Sequence, residues 1–296
     1  MSSREAFSNY LARMAAIGFR PSSALGQNFL LDPTLHAWIA EQAGPTPADT
    51  VVEIGVGLGF LTRELAARAG RVLGIEIDAR LLQLTRADLA GHGNIEWVEA
   101  DALSGPGRTL LPAVADAARA AAERGGRLLV VANLPYSVSG PLLAELCALD
   151  PLPARAVVLV QKEMAARVAA APGSADFGAL SVQVQAAFGA RLLRDVPPDV
   201  FRPRPKVVSA LLQLDRRPPG ALLLRTGDER RRFGVFVREL FRQRRKVLRH
   251  TLPAAAAAAG VVPPSLAAEV LAQRAEQLDA GVLLEWWRAC CPGRPA

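Results

Sequence analysis

The sequence has few of the residues that stabilise small secreted proteins or metalloproteins. Its cysteines are Cys147, Cys290 and Cys291, and an odd number with two adjacent members argues against a disulfide framework. Its histidines stand at positions 36, 92 and 250, too far apart in sequence for metal-ligand spacing. We therefore expect neither a disulfide scaffold nor a metal site.

Long apolar runs are also missing. No run approaches the roughly 20 residues that a membrane-spanning helix needs. The N-terminus, MSSREAFSNYLARMAA, carries charge throughout and lacks the continuous apolar stretch of a secretory signal. These absences predict a cytoplasmic protein with no membrane partner, and we expect it to act as a monomer.

Lysine is scarce as well. It stands only at positions 162, 206 and 246, so arginine supplies the rest of the 35 basic residues. Against 28 acidic residues, this gives a net charge of +7, which favours a polyanionic partner such as nucleic acid. Abundant Arg, Ala, Gly and Pro are also typical of a GC-rich coding sequence. The clustering of the charges, rather than their total, must decide between these readings.

What the sequence does contain is an alternation of short β-rich runs and helical runs. With 51% hydrophobic residues, it predicts an α/β fold whose parallel sheet is covered by helices. The predicted strands are 51–55, 71–78, 94–101, 127–133 and 155–161, and the predicted helices are 58–70, 79–91, an Ala-rich part of 104–126, 140–149 and 162–170.

The alternation stops in the second half of the chain. Segments 179–188 and 207–214 are β-like with no obvious helix between them, which predicts an antiparallel pair at one sheet edge. The composition shifts near residues 215–225, and the chain reads helical from Asp228 onward. We predict two domains, residues 1–218 and a small helical C-terminal domain of residues 219–296. The six alanines at 254–259 are helix or linker.

A glycine-rich turn follows the first predicted strand. Gly55, Gly57 and Gly59 would let the chain turn tightly and let a ligand approach the backbone. The dinucleotide pattern G-x-G-x-x-G would need glycine where Phe60 stands. The pattern G-x-G-x-G suits a nucleoside ligand without a pyrophosphate, although a merely tight turn would also explain it.

Acidic residues end the next two strands. Glu76 could accept hydrogen bonds from a ribose diol, and Asp101 could meet an adenine amino group. Either acid alone could equally be a solvated strand end. Because ligands of open parallel sheets bind at the carboxyl ends of strands, the coincidence of these positions predicts a nucleoside site.

The fourth strand ends in the stretch ANLPYS. Two hydrogen-bond acceptors, the Asn133 side-chain oxygen and the Leu134 carbonyl, could pull an exocyclic adenine amine towards tetrahedral geometry and localise its lone pair. Pro135 would fix the turn, and Tyr136 would stack on an extruded base. The alternative is a strand-end turn whose tyrosine covers the core.

These segments together resemble one family. Over roughly residues 20–250 the chain is similar to the bacterial small-subunit ribosomal RNA adenine dimethyltransferases. The resemblance rests on GQNFL (26–30), VEIGVGLG (52–59), IEID (75–78), EADAL (99–103), NLPYSVSG (133–140), VQKEMAARVAAAPGSADFGALSVQVQ (160–185) and FRPRPKVVSALLQL (201–214). The segment between Asp101 and Asn133 is longer than usual in the family, and we expect the extra residues to lie on the surface.

The resemblance implies a Rossmann-like S-adenosylmethionine-dependent methyltransferase sheet with a small all-helical C-terminal domain. It implies N6,N6-dimethylation of two adjacent adenosines near the 3′ end of 16S rRNA, in an immature small ribosomal subunit. The implied cofactor contacts are Asn28, Leu30, Gly55, Gly57, Glu76, Asp101 and Asn133; the implied catalytic turn is Asn133, Leu134, Pro135 and Tyr136; and the implied stacking residues are Tyr136 and Phe201.

Basic residues cluster in two places. One follows Phe201 and the other lies in the helical stretch 229–250, whose apolar residues keep helical spacing. Such runs are often only the solvated face of a helix, but the density of arginine favours phosphate contacts. The predicted RNA-binding residues are Arg202, Arg204, Lys206, Arg242, Arg244, Arg245 and Lys246.

Three other functions fit parts of the pattern. A large-subunit rRNA adenine methyltransferase of the macrolide-resistance type would share the same pocket motifs. A non-catalytic ribosome-assembly factor would bind RNA without methylating it, but the intact NLPY motif argues against that function. A nicotinamide oxidoreductase is disfavoured by Phe60.

Overall fold

The computed structural model describes residues 12–21, 27–105 and 107–291. Its centre is a seven-stranded sheet in the order β4-β3-β2-β5-β6-β9-β7. The strands of this sheet are β2 (Thr50–Ile54), β3 (Arg71–Glu76), β4 (Ile95–Glu99), β5 (Leu128–Asn133), β6 (Arg155–Gln161), β7 (Phe188–Val196) and β9 (Ser209–Arg216). Strands β2 to β6 pair in parallel, so the predicted α/β fold is confirmed.

Helices cover both faces of this sheet. They are α1 (Pro33–Ala43), α2 (Phe60–Ala66), α3 (Ala79–Asp88), α4 (Pro112–Glu123), α5 (Ser139–Leu146), α6 (Lys162–Val168) and α7 (Ala179–Ala187). Strands β2, β5 and β6 are apolar along nearly their whole length because both of their faces are buried. One hydrophobic cluster lies under α4, α5 and α7, and another lies under α1 and α2 on the opposite face.

The prediction for residues 179–188 is wrong. Residues Ala179–Ala187 form helix α7, and the strand begins only at Phe188. The antiparallel edge itself is present, because β9 pairs antiparallel with both β6 and β7. Gln185, one of the polar residues that suggested a β-strand, forms hydrogen bonds within the fold: its Nε2 donates to the carbonyls of Val168 and Ala170.

The Ala-rich segment forms α4, and it is not simply a surface insertion. Val114, Ala118 and Ala121 are buried against the sheet, while the opposite face of the helix is exposed. The predicted helix in this segment is confirmed, and the expectation that the extra residues of the segment lie on the surface stays a prediction. The loop before α4 turns tightly, because Gly105 N donates to Thr109 O at 3.0 Å.

The chain after β9 is helical, as predicted. Its helices are α8 (Gly227–Phe241), α9 (Leu248–Ala258), α10 (Ala268–Leu271) and α11 (Ala280–Cys290), and the alanine run lies in α9. Their shared core is built around Trp287, whose ring lies 5.9 Å from that of Phe233 and 5.6 Å from that of Phe236. Phe177 and Val182 also belong to this core, so it continues onto α7. The boundary after residue 218 stays a prediction.

The segment before α1 is tied to the segment between β7 and β9 by a second, two-stranded sheet. In it, β1 (Phe29–Leu30) pairs antiparallel with β8 (Phe201–Arg202). Within the described ranges, no helix is long and apolar enough to cross a membrane. The same residues contain no cluster of three or more side chains suited to holding a metal ion.

Candidate active site

A cavity of about 280 Å³ lies at the carboxyl ends of β2 to β5. It brings together nine of the residues that the sequence predicted for the site. They are Asn28, Gly55, Gly57, Glu76, Asp101, Asn133, Leu134, Pro135 and Tyr136. Apolar side chains of Ile54, Ile75 and Leu142 line the space between them. The cavity thus combines an apolar interior with polar groups from four neighbouring strand ends, as a nucleoside site requires.

The glycine-rich turn forms one wall of this cavity. Gly55, Gly57 and Gly59 all have positive φ, between 55° and 78°, which is the left-handed region that glycine tolerates. A Cβ on Gly57 would lie 3.2 Å from the ring of Phe29, so the N-terminal segment packs directly on the turn. At Gly55, by contrast, a Cβ would have only the Asn133 carbonyl oxygen within 4 Å, so the backbone there is open to a ligand.

Glu76 is held in a fixed orientation at the end of β3. It is 5% exposed, and its two carboxylate oxygens accept hydrogen bonds from the amides of Gly57, Ile77 and Asp78 at 2.9–3.1 Å. Burial raises the pKa of Glu76, while these three amides act against that rise. A carboxylate offers about four acceptor positions, so capacity remains for a ligand hydroxyl.

A second acid lies beneath the turn and does not reach the large cavity. Glu53 is 1% exposed, and burial raises the pKa of its carboxyl to about 8. It lines a smaller cavity of about 40 Å³, together with Leu30 and His36. Burial lowers the pKa of His36 to about 4, so that imidazole is neutral at physiological pH.

Asp101 follows β4 at the other end of the cavity. Its side chain is exposed, and Oδ1 accepts a hydrogen bond from Leu103 N at 2.9 Å. This contact fixes the turn after β4. The other carboxylate oxygen of Asp101, Oδ2, does not take part in this hydrogen bond. Asp101 is one of the residues that line the cavity.

Asn133 links the end of β5 to the N-terminal segment. Its Nδ2 donates to the Asn28 carbonyl at 2.9 Å, across 105 positions of sequence. A backbone carbonyl can only accept, so the amide nitrogen must face Asn28 and the oxygen Oδ1 must point the other way. The side chain therefore offers an acceptor on its remaining side.

Tyr136 is half-buried and held at both ends. Its backbone carbonyl accepts from Ser139 Oγ at 3.1 Å, and its phenol oxygen lies 2.6 Å from Ser209 Oγ. Pro135 precedes it and its carbonyl accepts from Val138 N, which closes the turn into α5. The ring of Tyr136 is thereby placed on the wall of the cavity.

Two predicted residues do not reach the large cavity. Phe201 is 0% exposed and belongs to the same hydrophobic cluster as Leu211, and its stacking on a base stays a prediction. Leu30 pairs with Phe201 across the small sheet and is also buried; it lines the smaller cavity, and its contact with a cofactor stays a prediction. Pairing of β1 with β8 buries both side chains.

The predicted RNA-binding residues are all exposed. Three of them form ion pairs, between Arg204 and Asp199 at 3.0 Å, Arg242 and Glu239 at 3.1 Å, and Arg244 and Glu276 at 2.9 Å. Such exposed pairs are weak and leave the arginines available to a stronger anion. Arg202 donates to the backbone carbonyls of Asp199 and Phe201. Within the described part of the chain, Lys206, Arg245 and Lys246 form no ion pair.

Sequence reasoning missed several residues that line the cavity. Phe29 and Gln27 flank the predicted Asn28, so the motif GQNFL carried a signal for them. Arg108 also lines the cavity from the loop before α4. It is the one non-glycine residue with a positive φ in the described ranges, at 62°. No pattern in the sequence pointed to it, because its position depends on how the loop folds back.

A second cavity, also of about 280 Å³, lies between α5, α7 and α8. Two of the arginines that line it are engaged in contacts that pack α8 against the preceding part of the chain. Arg231 pairs with Glu145 at 2.9 Å, and Arg230 donates to the carbonyls of Leu149 and Leu224. We therefore assign the site to the cavity at the strand ends.

Comparisons with known proteins give the family and the relatives that this chain resembles. The profile of the family described as Ribosomal RNA adenine dimethylase matches residues 18–261. A protein of Pelotomaculum thermopropionicum named Ribosomal RNA small subunit methyltransferase A is 44% identical over 238 residues, covering 80% of this chain and 79% of that protein.

Two solved structures are also similar. A dimethyladenosine transferase from Plasmodium falciparum superposes with a TM-score of 0.67 at 24% identity, covering 87% of this chain and 95% of that one. The 23S rRNA methyltransferase ErmE superposes with a TM-score of 0.58 at 30% identity, covering 88% of this chain and 99% of that one. The first similarity is one of fold, whereas the second extends to sequence.

Proposed function

The chain belongs to the ribosomal RNA adenine dimethylase family, and from that membership we propose that it dimethylates N6 of two adjacent adenosines near the 3′ end of 16S rRNA. The methyl donor is S-adenosylmethionine, and the substrate is the rRNA of an immature small ribosomal subunit in the cytoplasm. The observation that carries the proposal is the single cavity lined by Asn28, Glu76, Asp101 and the turn from Asn133 to Tyr136.

The residues of the cavity fit S-adenosylmethionine. Glu76, held by three backbone amides, would accept from the ribose hydroxyls, and Asp101 would meet the adenine amino group. The apolar side chains of Ile75 and Leu142 suit the adenine ring, and Gly55 leaves the backbone open to the methionine part. When bound there, the cofactor supplies a methyl group on a positively charged sulfur.

The turn after β5 would activate the target amine. Asn133 Oδ1 and the Leu134 carbonyl would each accept a hydrogen bond from the N6 amine of adenine, which draws the nitrogen lone pair out of the ring. The contact between Asn133 Nδ2 and Asn28 keeps Oδ1 as the accepting atom. Pro135 fixes the turn, and the Tyr136 ring stacks on the extruded base. Positioning, rather than a strong general base, would supply most of the acceleration.

The RNA would be held by phosphate contacts outside this cavity. We propose that residues 219–296 form a helical domain for rRNA binding, with Arg242, Arg244, Arg245 and Lys246 between α8 and α9. The second group, around Arg202, lies on the segment that joins β8 to β9. Both groups are exposed cations, which favours contacts to the phosphate backbone rather than to base edges.

One observation favours a second substrate. The structural similarity to ErmE comes with 30% identity, and that protein is a 23S rRNA methyltransferase. The 44% identity to a small-subunit methyltransferase favours 16S rRNA instead. Both enzymes would need the same cavity, so its geometry does not separate the two substrates.

The proposal is tested by methylation of purified immature small subunits and of 23S rRNA with labelled S-adenosylmethionine. We expect N6,N6-dimethyladenosine in the digest of 16S rRNA, mapped to its 3′ end. A mark confined to 23S rRNA would support the alternative substrate. No dimethyladenosine in either rRNA, with folded protein and saturating cofactor, would refute the proposal.

The contribution of Asn133 is tested separately. Asn133→Ala should lower the transfer rate about 100-fold or more, because an oriented acceptor at the reacting group is lost. Asn94→Ala is a matched control, since Asn94 also uses Nδ2 on backbone carbonyls, those of Ala66 and Ala69, but lies outside the cavity. Wild-type turnover by the Asn133 variant would remove it from the mechanism.

A further inference from the structure

The phenol of Tyr136 has a partner at the same edge of the sheet, on the strand two places away from β5. Its oxygen lies 2.6 Å from Ser209 Oγ, although 73 residues separate the two in sequence. Ser209 is 0% exposed and is the first residue of β9. Its backbone pairs with Gln161 of β6 on one side and with Val196 of β7 on the other. The backbone position of Ser209 is therefore fixed by its pairing with a strand on each side.

The Tyr136 side chain depends on this contact for its orientation. It lies in a turn rather than in a strand, and its backbone contact to Ser139 holds only one end of the residue. A tyrosine ring that is held only at its backbone can still rotate about χ1 and move out of the cavity. A hydrogen bond to the phenol oxygen at the opposite end of the ring stops that movement.

The contact cannot easily be replaced by water or by another group. The buried hydroxyl of Ser209 needs a partner, and the half-buried phenol would otherwise lose its own. Leaving either group unpaired in this position costs free energy, so the two side chains stabilise one arrangement of the ring. That arrangement places the ring on the cavity wall.

We propose that Ser209 is a positioning residue of the methyl transfer, which acts by holding the Tyr136 ring where the target adenine stacks. This inference rests on the proposed function, because only there is Tyr136 the stacking residue. Ser209 itself touches neither cofactor nor target base. It also begins the strand that follows the segment carrying the predicted phosphate contacts Arg202, Arg204 and Lys206.

The proposal predicts how single and double variants behave in a single-turnover transfer assay. Ser209→Ala should lower the rate of methyl transfer roughly tenfold, which corresponds to about 1.4 kcal/mol. Tyr136→Phe keeps the ring but removes the hydroxyl, and it should lower the rate by a similar factor. Since both changes remove the same contact, the double variant should be no slower than either single variant. Ser209→Thr retains a hydroxyl and should recover much of the rate.

A matched control separates positioning from general stability. Ser181 is also 0% exposed, and its Oγ donates to the Arg167 carbonyl at 2.6 Å, outside the cavity. Ser181→Ala should lower the melting temperature without changing the transfer rate. Ser209→Ala should change the rate, while the affinity for S-adenosylhomocysteine stays within twofold of wild type.

The possible outcomes distinguish this inference from the proposed function. An active wild type with an equally active Ser209→Ala variant would overturn the role of Ser209 alone. Rate losses that multiply in the double variant would do the same, because they would show two independent contacts. A folded wild type that transfers no methyl group would instead refute the proposed function.

Discussion

Glu53 offers a quantitative test of the electrostatics beneath the glycine-rich turn. It lies in β2 at 1% exposure, and its Oε2 has no hydrogen-bond partner among the described residues. Burial, with a smaller contribution from the charge of Glu76, raises the pKa of Glu53 to about 8. The folded protein therefore keeps this acid neutral at physiological pH.

The sign of the effect follows from where the proton is held. The unfolded chain releases this proton near the ordinary value of 4.5, whereas the folded protein retains it up to about pH 8. The contribution of Glu53 to stability is therefore complete below pH 4.5 and is lost as the pH rises towards 8. Because each pH unit corresponds to about 1.4 kcal/mol, the free energy of unfolding should fall by roughly 2–3 kcal/mol between pH 5 and pH 7 through this residue.

Glu53→Gln isolates the effect, because a neutral amide of the same shape cannot titrate. Urea unfolding at pH 5, 6 and 7 gives the free energy of unfolding of both proteins, and the value for the variant is subtracted from that for the wild type at each pH. We expect this difference to decrease by roughly 2–3 kcal/mol over the range. Burial lowers the pKa of His36 to about 4, but His36 titrates in both proteins and so cancels. A difference that is independent of pH would refute a protonated Glu53.

Three further predictions concern the fold. Gly59→Ala should lower the free energy of unfolding by roughly 1–3 kcal/mol in urea titrations, because φ is +72° and the new Cβ would lie 2.4 Å from Thr85 Cγ2. Asp49→Asn should destabilise the protein at pH 7, and in the same urea titrations this loss should begin to shrink only below the ordinary Asp value of 3.8, because the Arg127 guanidinium holds the pKa of Asp49 well below its usual range. Trp287→Ala should lower the free energy of unfolding by about 3–5 kcal/mol, because the side chain is 1% exposed. The helical circular dichroism signal should then be lost at a lower urea concentration than in the wild type.

Much of the sheet could be predicted because buried parallel strands need apolar residues on both faces. The strands that deliver Gly55, Glu76 and Asn133 to one edge follow this rule, so their apolar runs located them. The helix Ala179–Ala187 could not be predicted in the same way. In ALSVQVQ, polar and apolar residues alternate as in a strand, and nonlocal contacts of Gln185 and Ser181 hold the segment as a helix.

In the site, too, positions set by the local sequence could be predicted, whereas positions that depend on contacts between distant segments could not. Residues at strand ends could be predicted because parallel strands bring their carboxyl ends to one edge. The burial of Leu30 and Phe201 depends on the pairing of β1 with β8, which lies outside any local pattern. The presence of Arg108 at the cavity depends on a loop in a left-handed conformation that few non-glycine residues adopt.

The central claim is that one cavity receives both the methyl donor and the extruded adenine. A crystal structure of the chain with bound S-adenosylmethionine tests this most directly. We expect the ribose on Glu76 and the methyl group directed towards the space between Asn133 and Tyr136. A cofactor bound in another cavity, or a turn at Asn133 closed off from the bound methyl group, would contradict it.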